Sequence, residues 1–380
     1  MIVEQFLKWV ESARASEREA AASALARAYL QSPLEFDERC AAEAALTVLL
    51  DDPSPNVRFA LAEALSTSTL APIQIVTALA CDQPQVASVI LVRSPLMGDT
   101  DLIDRVALGG DEVQCAVAMR AQLSFSLCAA IAEVACVEAC QMILSNAGAN
   151  IAGLSLRRLV ERFGHIAEMR GLLLADPRLP TDARHALVVK LGEALRDMPM
   201  VMALMGKARA QRITGEACVR ACLDSIDTSP VLEHPALVEH LRLRGELTTS
   251  FVLRVLINGK IGFFATIVST LSGQADDRIK AQLANGRQAI LTSLFRQCGF
   301  TDSVAGVLML GLETWRSIAN GKLTAGPQEV SRIMLERYDA ASSTPAFAHG
   351  NDDLVALLRS VYLETVRENG RKHALRLQAA

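Results

Sequence analysis

The first half of the chain repeats one arrangement of polar and apolar positions. An acidic residue or Asn and a short polar turn come first, then an apolar stretch with helical spacing. Copies open at Asp51, Asp82, Asp111, Ala147 and Asp176, between 29 and 36 residues apart, and a looser copy precedes them across residues 15–50. In the copy from Asp51, Val57, Ala60, Leu61, Ala64 and Leu65 fall on one helical face at i, i+3, i+4, i+7, i+8. Pro72 suits the first turn of a second helix, where its missing N–H is no loss, and Ile73, Val76, Leu79 and Ala80 follow it. Asp and Asn at the turns can accept hydrogen bonds from the free N–H groups of the next helix. One such two-helix unit cannot bury its apolar face alone, whereas stacked neighbours can. The pattern predicts a helical-repeat solenoid over residues 1–200.

Asp52, Val57 and Arg58 stand where HEAT-type repeats place the Asp, Val and basic residue of their second helix, and the segment from Asp52 to Leu65 resembles that signature. Later copies depart from it: Asp82 is followed by Val86 without the Arg, and Asp111 by Val113. The repeat class is therefore HEAT-like. Over most of its length the chain also resembles an uncharacterised alphaproteobacterial family of unknown function, through the stretch LINGKIGFFATIVSTLSGQADDRIKAQLANGRQAILTSLFRQCGF. That resemblance implies HEAT-like helices in front and a helical segment behind, and it brings no catalytic motif.

Beyond about residue 200 the repeat fades while helical patterning continues. Phe251–Leu256, Phe263–Leu271, Ile279–Phe295 and Ser303–Ser317 are predicted helices, with Gly259, Gly273 and Gly299 as C-terminal caps or turns. Pro327 fits the first residue of a helix through Tyr338 that turns Val330, Ile333, Met334 and Tyr338 inward. Residues 201–340 read as a non-repetitive helical domain. Residues 341–351, small, polar and broken by Pro345 and Gly350, have linker composition. Residues 352–380 read as an amphipathic helix with the stripe Leu354, Leu358, Val361, Tyr362 and Val366. Arg367, Arg371, Lys372 and Arg376 crowd its end, where cations complement the helix dipole. Such a helix either docks on its own body or enters a partner's groove.

Composition sharpens this all-α reading. Hydrophobic residues make up 51% of 380, which excludes a disordered chain. Aromatics are only 4%, which favours close-packed helices over sandwiches or barrels. The net charge of −4 hides an asymmetry: residues 1–150 hold 9 Lys+Arg against 19 Asp+Glu, and residues 151–380 hold 29 against 23. Arg outnumbers Lys 31 to 7, a bias that sequence alone assigns to coding. The first residues do not read as a secretory signal, and no apolar run reaches the ~20 residues of a membrane span. Nine scattered cysteines point to a reducing cytoplasm.

Candidate chemistry is sparse. Cys136 and Cys140, like Cys218 and Cys222, are four apart and would share a helical face, but each pair lacks the further ligands of a zinc site and reads as packing. His234 and His240, six apart, do not share a face, and the six histidines make no metal pattern. His185, with Lys190 nearby, reads as a surface or capping histidine; if exposed it would faintly resemble a phosphoacceptor. Gly321-Lys322 lacks the upstream glycine of a phosphate loop. No catalytic residue, cofactor site or metal site emerges. The expectation is a non-enzymatic scaffold that binds a protein partner on its helical-repeat surface, with Arg157, Arg158 and Arg162 as candidate contacts and a homodimer as a further option. The alternative is an enzyme or small-ligand-binding protein with a pocket between the two helical halves. Nucleic-acid binding on a concave Arg surface ranks third, since the chain is acidic and poor in stacking aromatics.

Overall fold

A computed structural model describes residues 8–10, 12–341 and 352–378, and over these residues the fold is all-α. The chain divides into two compact units, Met1–Ala183 and Arg184–Ala380.

The first unit contains α1 (Ala15–Gln31), α2 (Phe36–Leu50), α3 (Pro55–Leu65), α4 (Ile73–Leu79), α5 (Pro84–Arg93), α6 (Asp99–Leu108), α7 (Asp111–Ala118), α8 (Phe125–Val134), α9 (Val137–Ser145), α10 (Gly153–Phe163) and α11 (Ala167–Ala175). Pro55 and Pro84 open their helices, and the Ser124 hydroxyl caps α8 by accepting from the Leu127 N–H at 3.1 Å. Each odd-numbered helix from α1 to α11 packs on the next odd one, while α2 packs on α4, α6 on α8 and α8 on α10. This alternation follows from the apolar stripes. Val57, Leu61 and Leu65 of α3 are fully buried, as are Ile75, Val76 and Leu79 of α4 and Val86 and Ile90 of α5.

Arginines tie consecutive hairpins together. Arg18 of α1 grips Asp52 with two N–H groups at 2.7 and 3.0 Å, and Arg58 of α3 grips Asp82 at 2.6 and 3.0 Å while also donating to the Asp52 carbonyl at 2.6 Å. Asp52 is buried, and its carboxylate also accepts from the Ser54 N–H at 2.8 Å. Further along, where the Asp–Arg signature lapses, the forks turn to backbone. Arg120 donates to the carbonyls of Leu91 and Ser94, and Arg178 to that of Ala149.

The second unit contains α12 (Thr181–Arg196) from Arg184 onward, α13 (Pro199–Met205), α14 (Lys207–Thr228), α15 (His234–Leu243), α16 (Thr249–Ile257), α17 (Ile261–Ser272), α18 (Asp276–Asn285), α19 (Gln288–Gln297), α20 (Asp302–Ala319), α21 (Pro327–Ala341) and α22 (Asp352–Gln378). Its core gathers Phe251, Phe263, Phe264, Phe295, Leu308 and Tyr338. Trp315 of α20 donates its indole N–H to the Leu256 carbonyl at 2.7 Å, and its ring lies where a Cβ on Gly259 would sit, 2.8 Å away. Gly259, at φ 75°, meets that close approach and the left-handed turn together.

One predicted helix is two. The span Ile279–Phe295 breaks at Gly286, whose N–H donates to the Gln282 carbonyl. Arg316 explains the break: its guanidinium donates to the carbonyls of Gln282, Leu283 and Gly286 at 3.0, 2.8 and 3.1 Å, capping α18 from α20. The predicted linker falls in 342–351, outside the described residues, apart from Ala341. The terminal helix packs on α21, and Leu354, Leu358 and Val361 join the core of this unit.

The partly buried Arg–Asp pairs set a first expectation. Asp82→Asn leaves Arg58 facing a neutral amide in a site where both side chains are only 16% exposed, and should cost about 2–4 kcal/mol in urea unfolding, whereas breaking the exposed Lys280–Asp276 pair should leave the urea midpoint unchanged. Burial pushes the Asp52 and Asp82 carboxyls up, but the hydrogen bonds and charges of Arg18 and Arg58 outweigh it and hold both below the usual 3.8. Depressed carboxylates stabilise the fold above that value and lose the contribution as pH falls through the folded pKa. Acid titration of the wild type should therefore show a loss of stability below about pH 4 that D82N reduces.

Candidate docking groove

Two helices of the second unit face each other across a groove. From α12 come His185, Val189, Gly192, Glu193 and Arg196, and from α14 Gln211, Thr214, Gly215, Cys218, Val219 and Cys222. Both sets follow three-and-four spacing, so each helix gives the groove one face. Leu241, Gly245, Glu246, Thr248 and Phe251 complete the lining around a cavity of about 390 Å³. Gly192 lets the helices approach, because a Cβ there would stand 2.8 Å from the Cys218 sulfur.

His185 sits at the groove with its side chain 4% exposed. Burial, not exposure, is thus the finding for this residue, and it corrects the surface or capping reading. Its Nε2 lies 3.4 Å from Glu246 Oε2, and its ring meets the His240 ring edge-on at 5.5 Å. Burial pushes the imidazole down to about 4; the Glu246 carboxylate opposes this, while His240 and Arg244 add to it. Its Nδ1 has no hydrogen-bond partner among the described residues. The Cys218 thiol, which donates to the Val188 carbonyl at 3.7 Å, is raised by burial, and Cys222 is pushed up to about 12. At neutral pH the groove thus presents a neutral imidazole and protonated thiols, suited to packing and hydrogen bonding.

Next to the groove, α13 joins α12 to α14. Its sequence PMVMALM is wholly apolar and none of its seven residues is buried. Met200 and Leu204 are 74% and 77% exposed, and Leu195, Met198, Met205 and Ile213 continue the apolar surface. The first turns of α14 then expose Lys207, Arg209 and Arg212. Cations at a helix N-terminus oppose its dipole, so their placement does not serve the helix itself.

The three arginines singled out in the sequence lie on α10 of the first unit, each with in-chain partners. Arg157 grips Asp182 at 2.7 and 3.0 Å. Arg162 donates to the carbonyls of Ala132 and Ala135, both at 2.7 Å, and stacks over Phe163. Arg158 pairs with Glu133 at 2.8 Å and Glu161 at 3.1 Å. The cysteine pairing also differs from the spacing. Cys136 is the N-cap residue of α9 and lies 3.9 Å from Cys115, whereas Cys140 is buried inside that helix. His234 packs edge-on against Phe263 and reaches Ser229 Oγ at 3.2 Å, separate from the His185–His240 contact. Among the described residues no three His, Cys, Asp or Glu side chains converge as metal ligands, and no helix is long and apolar enough to cross a membrane.

Fold and groove together define an all-α protein of two helical units, the second carrying a groove and an uncovered apolar helix. Residues 86–347, more than half of the chain, match the family described as an uncharacterised protein conserved in bacteria, DUF2336, and the chain belongs to that family. No curated protein and no solved structure matches it.

The buried imidazole predicts a pH dependence. An unfolded chain binds a proton on His185 near 6.5, whereas the folded one binds it only near 4. Stability should therefore fall as pH drops between those values, by up to about 1.4 kcal/mol per pH unit. Urea midpoints of wild type and His185→Gln from pH 7.5 to 5 test this: the variant should show the shallower slope, with the remainder owed in part to His234, which burial also lowers.

Proposed function

We propose that this protein is a non-enzymatic cytoplasmic scaffold that docks a protein partner. The observation that carries the reading is α13, a helix of seven apolar residues with none buried. Exposed apolar surface of this kind marks interaction sites, and its three methionines provide an adaptable contact. The occupant we assign is an amphipathic helix with an acidic rim. Its apolar face would cover Met200 and Leu204, and its carboxylates would meet Lys207, Arg209 and Arg212. The stacking of alternate helices in the first unit supports a HEAT-like solenoid as the partner-facing frame. There Arg158 is the most accessible of the three sequence-selected arginines, since its pairs with Glu133 and Glu161 lie at the surface. The narrower alphaproteobacterial attribution rests on the stretch Leu256–Phe300 and belongs to the same proposal.

A second reading has its own support. The cavity beside His185 has polar and apolar walls and a size in the range of small-ligand sites.

The test compares wild type with Met200→Asp/Leu204→Asp, both positions being exposed, so that folding is retained. A stoichiometric partner captured by wild type should be lost, or weakened at least tenfold, with the double variant, and Lys207→Glu/Arg209→Glu should weaken it in a salt-dependent way. A partner held equally by all three proteins would rule this surface out. Self-association of the wild type in light scattering, abolished by the same changes, would replace the acidic helix with a second copy.

A further inference from the structure

Away from the groove, α14, α16 and α22 enclose a second cavity of about 220 Å³ lined almost wholly by charged side chains: Glu216, Arg220, Arg254, Glu364, Arg367 and Arg371, with Ser360 and Leu363. Two of the four guanidinium groups are already committed. The Glu364 carboxylate accepts from Arg254 Nε at 3.1 Å and from Arg220 Nη2 at 3.4 Å, so one carboxylate draws arginines from two helices to one point. Arg254 also donates to the Ser250 hydroxyl, which fixes its fork. Arg254 is only 14% exposed, so this part of the site is built rather than a solvated fringe.

The other two guanidinium groups are not committed. Arg367 and Arg371 are exposed, one turn apart on α22, and have no ion-pair or hydrogen-bond partner among the described residues. Their place in the helix does not explain them. Favourable interaction of cations with a helix dipole is confined to the last turn, and α22 runs on to Gln378, two to three turns further. Four arginines against two glutamates leave the lining with a formal excess of two positive charges, which Glu368, 3.9 Å from Arg220 Nε at its margin, reduces to one. Arginine forks match the tetrahedral oxygens of a phosphate in bidentate fashion, and a phosphate monoester near neutral pH carries close to two negative charges. The volume exceeds that of one phosphate group, and Ser360 and Leu363 offer a hydroxyl and an apolar surface to whatever the phosphate is attached to.

We propose that this arginine basin binds a phosphate monoester dianion, with Arg367 and Arg371 holding the phosphoryl oxygens and Arg220 and Arg254, positioned by Glu364, completing the positive wall. The bound group would bridge the terminal helix to α14 and α16, which stabilises their packing by mass action.

The experiment uses the full chain at fixed ionic strength. Glycerol 3-phosphate, inorganic phosphate, glycerol and chloride are titrated by calorimetry and by thermal unfolding, and vesicles of phosphatidylcholine with and without phosphatidic acid are tested by co-sedimentation. The expected result is one site per chain for glycerol 3-phosphate, none for glycerol or chloride, and a rise in Tm with the phosphate compounds. Arg367→Gln/Arg371→Gln should raise Kd at least tenfold while leaving the ligand-free Tm unchanged, because neither side chain has a partner to lose among the described residues. Arg367→Lys, which keeps the charge but not the fork, should give an intermediate loss. Binding to phosphatidic acid vesicles that depends on the same arginines, without binding of the free compounds, would assign the phosphate to a lipid headgroup. The proposal is overturned if chloride reproduces the effect, if the double variant binds as wild type does, or if neither the free phosphates nor the vesicles bind.

Discussion

The planar fork of arginine, reaching from one helical hairpin to its neighbour, is the interaction on which this architecture depends. The helices α3 to α11 are only 7 to 11 residues long. A short helix has as many unsatisfied terminal groups as a long one, four N–H and four C=O, so the cost of leaving them unmatched weighs heavily here. Arg120, Arg162 and Arg316 each reach back between 26 and 34 residues to carbonyls at or near the end of an earlier helix, and Arg178 reaches back 29 to the Ala149 carbonyl in the loop between α9 and α10. Arg18, Arg58 and Arg157 do the equivalent with carboxylates. Lysine offers a point charge without the fork and cannot bind two carbonyls of one helix end in plane. The excess of Arg over Lys therefore has a structural use here, beyond coding bias.

That use of arginine bears on where a partner can bind. A basic run in the sequence suggests a ligand, yet Arg157 and Arg162 tie their helix to neighbouring ones, and replacing them would act on stability before it acted on binding. Informative surfaces are those the fold does not need. The apolar helix α13 buries none of its side chains, and the basic start of α14 runs against its own helix dipole. Both features carry a cost in a free protein, through exposed apolar surface in one case and unfavourable electrostatics in the other.

Much of the fold was legible because its periodicities are local. The stripe Leu354, Leu358, Val361 marks a helix whose apolar side must be covered, and the structure covers it. Gly259, Gly273 and Gly299 were readable as turns, and all three adopt positive φ. Interactions between distant residues were not legible. The break at Gly286 is stabilised by Arg316, thirty residues later. The burial of His185 depends on Glu246 and His240, more than fifty residues away, so an amphipathic segment containing Lys190 gave no sign of it. Spacing grouped Cys136 with Cys140, because both fit one helix face, but Cys136 sits at the helix cap and meets Cys115 from the preceding hairpin. The groove itself was half visible: Cys218 and Cys222 do share a face, but the matching face of α12 becomes evident only once Gly192 is seen against Cys218.

Helix α14 connects the two candidate sites of the second unit. Gln211, Thr214, Cys218 and Cys222 face the groove, while Glu216 and Arg220 face the arginine basin, so one rigid element contributes to both. Shared membership is not coupling. A ligand in the basin changes partner affinity only to the extent that it binds more tightly to the arrangement of α14 that the partner prefers. The built contacts favour a stabilising role for the basin. Arg220 on α14 and Arg254 on α16 meet on a single carboxylate of α22, and any anion joining them tightens three helices at once. The groove face lies a few residues along the same helix, with a buried neutral histidine and two protonated thiols holding its inner wall. An anion in the basin would therefore act on the groove by restricting α14, without reaching into it.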